Sequence, residues 1–140
     1  MNVVSGMSGG FAMRLTIVIA LVGIVAMGLP SAAQAFSASF SWAGISTCGS
    51  TSPAFTLRDT PNGTAKLSFE MRDLDAPGFR HGGSTVAYDG HGQVAQGAIA
   101  YTGPCPPVGQ VHRYIWTIRA LAADGKVLAQ TTAEGRFPPK

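Results

Sequence analysis

The chain has 140 residues, and its 10 Lys and Arg against 7 Asp and Glu leave a formal charge of only +3. The basic residues are dispersed, with no cluster and no interleaved aromatic stripe, which argues against a nucleic-acid partner. The chain also carries 18 glycines and 9 prolines. Glycines and prolines interrupt regular secondary structure, and such a high frequency of them is typical of a compact all-β domain and unlike a helical one.

The N-terminus has the pattern of a secretory signal peptide. An uncharged, largely apolar run, Leu15–Leu29, follows Arg14, and the Ala-Gln-Ala sequence at 33–35 matches the small-x-small site of signal peptidase. We expect cleavage after Ala35 and a periplasmic or secreted location for residues 36–140. The alternative is a membrane anchor, but a spanning helix needs about 20 apolar residues. Because this run is shorter, no membrane span is expected once the signal is removed.

The predicted boundaries are therefore a signal peptide at 1–35 and one domain at 36–140. The latter segment has the usual size of a single domain and is too short for two. Residues 1–12 carry no charge, whereas Met13 followed by Arg14 is an ordinary opening for a signal peptide. Met13 is accordingly an alternative start of the chain.

Alternation of apolar and polar residues predicts β-strands along residues 36–140. Apolar residues alternate with serines from Phe36 to Trp42. The clearest pattern follows at Ala65–Arg72, where every second residue is apolar and one face of the strand is expected to be buried. Further strands are predicted at Ser84–Tyr88, Tyr114–Leu121 and Val127–Ala129.

Turn signals separate these strands. Asn62-Gly63 and Asp124-Gly125 are tight-turn sequences, because such residues tolerate positive φ. The segment Asp89–Gly92 is expected to be an exposed turn, and its His91 is assigned no role. With no amphipathic helical pattern in the mature segment, we expect an all-β domain with little helix.

Cys48 and Cys105 are the only cysteines. Export would place both where thiols are usually oxidised, which favours a disulfide between them. Two separate buried thiols are the alternative, since sequence alone does not show whether the Cα atoms come within bridging distance. A cysteine metal site is not expected without closely spaced partners.

Two carboxylates follow the clearest strand. Asp73 and Asp75 stand at its end, and Ala76-Pro77-Gly78 bends the chain directly after them. In an extended segment both side chains would face one side, unless the bend turns the second aside. Because two close carboxylates repel, one is expected in a pocket and the other on a backbone or Arg partner. Simple turn chemistry is the alternative for such an Asp-x-Asp.

Imidazoles and a phenol form the second group of candidates. His112 and Tyr114 share one face of a predicted strand, and His81 lies just beyond the Asp segment. If the fold brings them together, their donors are suited to a small anion. Alone, either histidine is more often a structural residue. A stiff wall is expected from the three prolines at 104, 106 and 107, which fix φ and lack N–H groups.

These segments, in this order, resemble the phosphatidylethanolamine-binding protein family, which includes bacterial Raf kinase inhibitor-like proteins. The sequence has DLDAP at 73–77, FRH at 79–81, GPCPP at 103–107 and HRY at 112–114. The corresponding family motifs are DPDAP, a His flanked by Trp, a Gly-x-x-Pro-Pro loop and HRY. The Cys and Ser-Pro of 48–53 are similar to a segment that precedes an early strand in bacterial members.

The resemblance implies an antiparallel β-sandwich with an anion pocket at one end and no cofactor or metal. It implies bracing roles for Asp75 and Arg113, and an aromatic wall at Phe79 where Trp is usual. The implied ligands are phosphate, a phosphorylated head group or a small carboxylate. The ligand-binding residues implied by the matching motifs are Asp73, Pro77, His81, Gly103, Pro106, His112 and Tyr114.

The sequence also departs from the family pattern. Leu74 replaces the Pro inside the Asp motif, and Gly82 replaces the aromatic residue after the His, so a looser pocket edge is expected. The stretch from Tyr88 to Tyr101 is shorter than usual, and the C-terminus lacks room for the helical segment of many members. These differences argue against phospholipid-sized ligands and protein-inhibitor activity.

The leading hypothesis is an exported, non-enzymatic protein that binds a small anion or phosphorylated head group. One alternative is a module that binds a protein partner or inhibits a kinase or protease. The other is a hydrolase in which an Asp or His activates water, with a metal held by His81, His112 and Asp73. No nucleophile elbow or HExxH motif supports that enzyme.

Overall fold

The computed structural model describes residues 35–139, together with positions 1, 2, 6, 9 and 10 near the N-terminus. The predicted apolar run and cleavage motif of the signal peptide lie outside the described residues. Everything below concerns one compact unit, Ala33–Lys140. In the described part of the chain, no helix is long and apolar enough to cross a membrane.

Residues 35–139 form an all-β domain that contains no helix. Every strand pairing is antiparallel, so the predicted fold class is confirmed. The eight strands are β1 (Ser37–Phe40), β2 (Phe55–Arg58), β3 (Lys66–Asp73), β4 (Arg80–Gly82), β5 (Thr85–Ala87), β6 (Gln93–Val94), β7 (His112–Leu121) and β8 (Val127–Phe137).

Two sheets enclose the core. The smaller has the order β1-β2-β6, and the larger has the order β4-β3-β7-β8, with β5 also pairing with β3. Strand β3 is the axis of the larger sheet: all eight of its residues pair with β7, and its other edge pairs with β4 at one end and β5 at the other. The C-terminal end of β3 therefore lies between β4 and β7.

The strand predicted from the apolar–polar alternation at Ala65–Arg72 is present as β3, and one of its faces is buried. Leu67, Phe69 and Met71 are at most 2% exposed, whereas Lys66 and Glu70 face solvent. The predicted turns at 62–63 and 124–125 also form. Strand β8 is much longer than predicted and runs to Phe137, because its weakly apolar sequence pairs with the whole of β7. The short strands β2, β4 and β6 were not predicted as separate elements.

Aromatic side chains join the sheets. Phe55 of the smaller sheet packs against Phe69 and Trp116 of the larger sheet, with ring centroids 4.9 and 5.2 Å away. Trp116 is fully buried, and Tyr101 covers another side of its ring at 5.2 Å. These contacts bury large apolar surfaces in edge-on or tilted arrangements that aromatic pairs favour.

A disulfide links Cys48 to Cys105, as predicted. Backbone hydrogen bonds reinforce this link: the Cys48 N–H donates to the Pro104 carbonyl at 2.8 Å, and the Gly103 N–H donates to the Gly49 carbonyl at 2.9 Å. The segment 103–105 is therefore fixed to the segment 48–49 by a covalent bond and two hydrogen bonds. We call this arrangement the 48/105 staple.

Removal of the disulfide should destabilise the domain substantially. The Cys48→Ala/Cys105→Ala variant frees a loop spanning 57 residues of sequence separation, and in the chain-entropy model such a loop is worth up to about 4 kcal/mol. Urea denaturation followed by tryptophan fluorescence measures the loss. Reduction of the unmodified protein is the control and should lower the midpoint similarly; an unchanged midpoint in both samples would contradict this role.

Candidate functional site

The site begins at the end of β3, where Asp73 is only 4% exposed. Its Oδ1 accepts hydrogen bonds from the N–H groups of Asp75 and Ala76, at 2.8 and 3.0 Å. Its Oδ2 lies 2.7 Å from Nδ1 of His112. One carboxylate thus caps the turn after β3 and orients an imidazole on the neighbouring strand.

Burial and hydrogen bonding act in opposite directions on Asp73. Burial alone would raise the pKa of its carboxyl group, but the hydrogen bond to His112 and those from the two turn amides favour the charged form. Together they hold the pKa below its ordinary value of 3.8. Asp73 is therefore a carboxylate at neutral pH, and Nδ1 of His112 must carry the hydrogen of their shared bond.

The bend after β3 turns Asp75 aside. Asp75 Oδ2 accepts from the Arg113 backbone N–H at 2.7 Å, and its Oδ1 lies 3.0 Å from Nη2 of the same arginine. The side-chain and backbone hydrogen bonds from Arg113 lower the pKa of Asp75 to about 2. This exposed pair ties the turn to β7, as the predicted bracing roles of both residues require.

His112 begins β7 and is 8% exposed. Its Nε2 lies 3.1 Å from Oε1 of Gln110. Because Nδ1 already donates to Asp73, this second contact is a hydrogen bond to the amide oxygen only when the ring is an imidazolium. The ring therefore has a fixed orientation, with Gln110 placed at its outer nitrogen.

A β-bulge determines the position of His81. Met71 pairs with Gly82, but Arg72 pairs with Arg80, so His81 is the extra residue of β4. Bulges re-aim side chains in this way, and His81 is 3% exposed. Its Nδ1 lies 2.7 Å from the Thr102 carbonyl oxygen, and the Thr102 N–H donates back to the His81 carbonyl at 2.8 Å.

Tyr114 lies between the two imidazoles. Its ring centroid is 5.4 Å from that of His81 and 6.3 Å from that of His112. The side chain is fully buried, and its hydroxyl has no hydrogen-bond partner among the described residues. Burial, and then the negative charge of Asp73, raise the pKa of this phenol. Tyr114 is consequently a neutral phenol at physiological pH, and its buried hydroxyl lies near the Asp73 carboxylate and the Cys105 backbone.

A pocket of about 220 Å³ opens over these groups. It brings together three of the predicted ligand-binding residues, and it adds Phe79, which the resemblance placed at an aromatic wall. Tyr114, which was also predicted to bind the ligand, does not line the pocket. The lining residues are Asp73, Ala76, Phe79, His81, Cys105, Pro107 and His112.

The predicted wall residues take different positions. Pro77 is exposed and lines a neighbouring cavity. Gly103 packs against Gly49, where an added Cβ would collide with the Gly49 carbonyl oxygen. Pro106 is buried, and the proline that lines the pocket is Pro107.

Sequence reasoning missed three contributors to the site. Gln110 and Thr102 contact the histidines through an amide oxygen and a carbonyl oxygen. Cys105 lines the pocket in addition to forming the disulfide. Only Gln110 had a sequence signal, since a residue two positions before a strand histidine can reach its ring. The contact of Thr102 depends on tertiary structure alone.

Residues 80–137 match the model of the phosphatidylethanolamine-binding protein family. This segment contains His81, the proline-rich wall and His112-Arg113-Tyr114, and the Asp73 turn that completes the pocket directly precedes it. These residues are similar to phosphatidylethanolamine-binding proteins.

Solved structures of phosphatidylethanolamine-binding protein homologues are similar to this one. A homologue from Chlamydia trachomatis has a TM-score of 0.54 and 20% identity, covering 76% of this chain and 99% of its own. Escherichia coli YbcL, described as a member of the mammalian family, has a TM-score of 0.44 and 21% identity, covering 63% and 79%. At such identity the Chlamydia structure shows a shared fold. No curated protein matches the chain.

The two departures from the family motifs have different structural effects. The Leu74 N–H donates to the Arg113 carbonyl at 2.8 Å, a bond that proline has no N–H to make. Leu74 thus extends the pairing of β3 with β7, whereas a looser edge was expected there. Gly82 is exposed, has a φ of +71° and would place an added Cβ in open space, so no side chain covers the site at this point.

Replacement of Asp73 by Asn should destabilise the domain at neutral pH. An amide cannot give both the turn and Nδ1 of His112 a charged acceptor, and a hydrogen bond to a charged group contributes about 1.5–3 kcal/mol. Because folding lowers the pKa of Asp73, this stability is present above about pH 4 and is lost as the pH falls through the folded-state pKa. Urea denaturation at pH 7 and pH 2 measures the free energy of unfolding of both proteins. Asp73→Asn should be less stable than the unmodified protein at pH 7, and the two should have similar stabilities at pH 2.

Asp75→Asn is the matched control. Its carboxylate is exposed and screened, so its replacement should cost less at pH 7 than that of Asp73. An Asp73→Asn variant as stable as the unmodified protein at pH 7 would show that the buried contact is not stabilising.

Proposed function

We propose that this protein binds a small anion in the 220 Å³ pocket, with the phosphate of a head group such as phosphoethanolamine, or a small carboxylate, as ligand. The convergence of His81 and His112 on one pocket carries the proposal. Each ring has its Nδ1 held by an oxygen acceptor, so each presents Nε2 as the remaining group for a ligand. The match of residues 80–137 to the phosphatidylethanolamine-binding protein family model supports the same ligand class.

The two Nε2 atoms differ in what a ligand must displace. Nε2 of His81 has no hydrogen-bond partner within residues 35–139, whereas Nε2 of His112 contacts the amide oxygen of Gln110. Gln110 is exposed, so an anion oxygen can take the place of its amide while the Asp73 contact remains. When both rings are imidazolium, donation from their Nε2–H groups places the anion between them.

The proposed role is binding without covalent chemistry, and an export signal at 1–35 gives it a location outside the cytoplasm. The Cys48–Cys105 disulfide is compatible with this location, because exported proteins fold where thiols are oxidised. Within residues 35–139, no three His, Cys, Asp or Glu side chains are grouped closely enough to hold a metal ion. As imidazolium rings, His81 and His112 each have an Nε2–H donor suited to holding an anion.

Calorimetric titration with phosphate and phosphoethanolamine at pH 6 tests the proposal. We expect saturable binding, with affinity at least about tenfold weaker in His81→Gln and His112→Ala variants, because each loses a charge-assisted hydrogen bond. His91→Ala is the matched control, since His91 lies in an exposed turn outside the pocket. Equal affinities in all four proteins would refute binding at this site.

A further inference from the structure

Two arginines lie directly opposite each other on the outer face of the larger sheet. Arg72 of β3 pairs with Arg80 of β4, at the bulge that directs His81 into the core. Both side chains are exposed. Like charges placed directly opposite on paired strands destabilise a sheet, so a partner of negative charge between them would be stabilising.

The protein does not supply that partner. Within residues 35–139, neither Arg72 nor Arg80 has an ion-pair or hydrogen-bond partner for its guanidinium group. Two other arginines of the same sheet are paired, Arg113 with Asp75 at 3.0 Å and Arg119 with Glu70 at 3.6 Å. Arg136 of β8 also has no such partner among residues 35–139, but Arg113 opposite it is paired with Asp75. Arg72 and Arg80 thus face each other with neither guanidinium group paired.

Arg72 and Arg80 also line a common cavity of about 420 Å³. Phe79, which is 50% exposed, and His81 line both this cavity and the imidazole pocket, so the two are adjacent. Glu70 is a lining carboxylate, but it lies next to Arg119. Gly78 and Gly82 add backbone without side chains. A cavity of this size suits a small molecule, with positive charge at one part and an exposed phenyl ring at another.

We propose that this cavity is a second anion site, distinct from the imidazole pocket, that binds the phosphate group of a small organic phosphate. Arg72 and Arg80 donate to the phosphate oxygens, since guanidinium forks match phosphate geometry and remain charged at all physiological pH values. Phe79 contacts the apolar part of the ligand. The bound anion also neutralises the repulsion between the two arginines.

A site-resolved NMR titration tests this proposal. Inorganic phosphate and phenyl phosphate are added to ¹⁵N-labelled protein, and the amide signals of Gly78 and Gly82 are followed. We expect these signals to shift, with affinity at least about tenfold weaker in Arg72→Gln/Arg80→Gln. Phenyl phosphate should bind more tightly than phosphate, and Phe79→Ala should remove that difference. Unchanged affinity in the arginine variant would overturn the proposal.

Arg136→Gln is the matched control. Arg136 is exposed on the outer face of β8 and lies outside the cavity lining, so its loss removes the same charge without removing a ligand contact. Equal weakening in this variant would assign binding to the general surface charge and overturn the site. The Arg72→Gln/Arg80→Gln variant should unfold at the same temperature as the unmodified protein or higher, because a like-charge pair has been removed. The single variant Arg80→Gln gives a second test of the loss of phosphate affinity.

The two anion sites are separated by their variants. His112→Ala should leave the phosphate-induced shift of Gly82 intact, whether or not the imidazole pocket binds anions. Loss of the Gly82 response in His112→Ala together with its retention in the arginine variant would place all binding in the imidazole pocket. Vesicles of phosphatidylcholine containing about 20% phosphatidic acid test whether the phosphate belongs to a lipid and not to a soluble molecule. If the protein cosediments with these vesicles through Arg72 and Arg80 and shows no response to phenyl phosphate, the soluble ligand is overturned in favour of a lipid.

Discussion

The buried carboxylate of Asp73 is the constraint on which the pocket depends. One oxygen accepts two N–H groups of the turn after β3, and the other accepts Nδ1–H of His112. Because burial alone disfavours its charge, the carboxylate is stable there only with these donors in place. The turn, the entry to β7 and the tautomer of the imidazole are thus fixed together by one ionised group.

His81 is held independently of Asp73. Its backbone and ring both bond to Thr102, which directly precedes the segment held by the 48/105 staple. The proline wall is fixed by the same staple, so one histidine and the wall beside it share a support that begins at Cys48. The other histidine depends on β3 and β7. Both histidines also depend on β3, because one of its edges pairs with β4 and the other with β7.

Sequence periodicity predicted β3 and β7 because each has one fully buried face, and with them the shared face of His112 and Tyr114. It did not predict the length of β8, because this weakly apolar strand is stabilised by its pairing with β7. The motifs identified Asp73, His81 and His112, but they did not separate Pro107 from Pro106 as the pocket wall, since this depends on the direction of a loop. The contact of Thr102 with His81 spans 21 residues and has no local pattern that could reveal it.

The bulge in β4 limits how the chain can vary in length. In a regular strand His81 would pair with Arg72, and the side chains of β4 would alternate strictly between the two faces. Deletion of Arg80 would pair His81 with Arg72 and abolish the bulge, whereas most exposed loops tolerate such changes. A one-residue deletion in β4 would therefore move an imidazole even though Asp73, His81 and His112 were all retained.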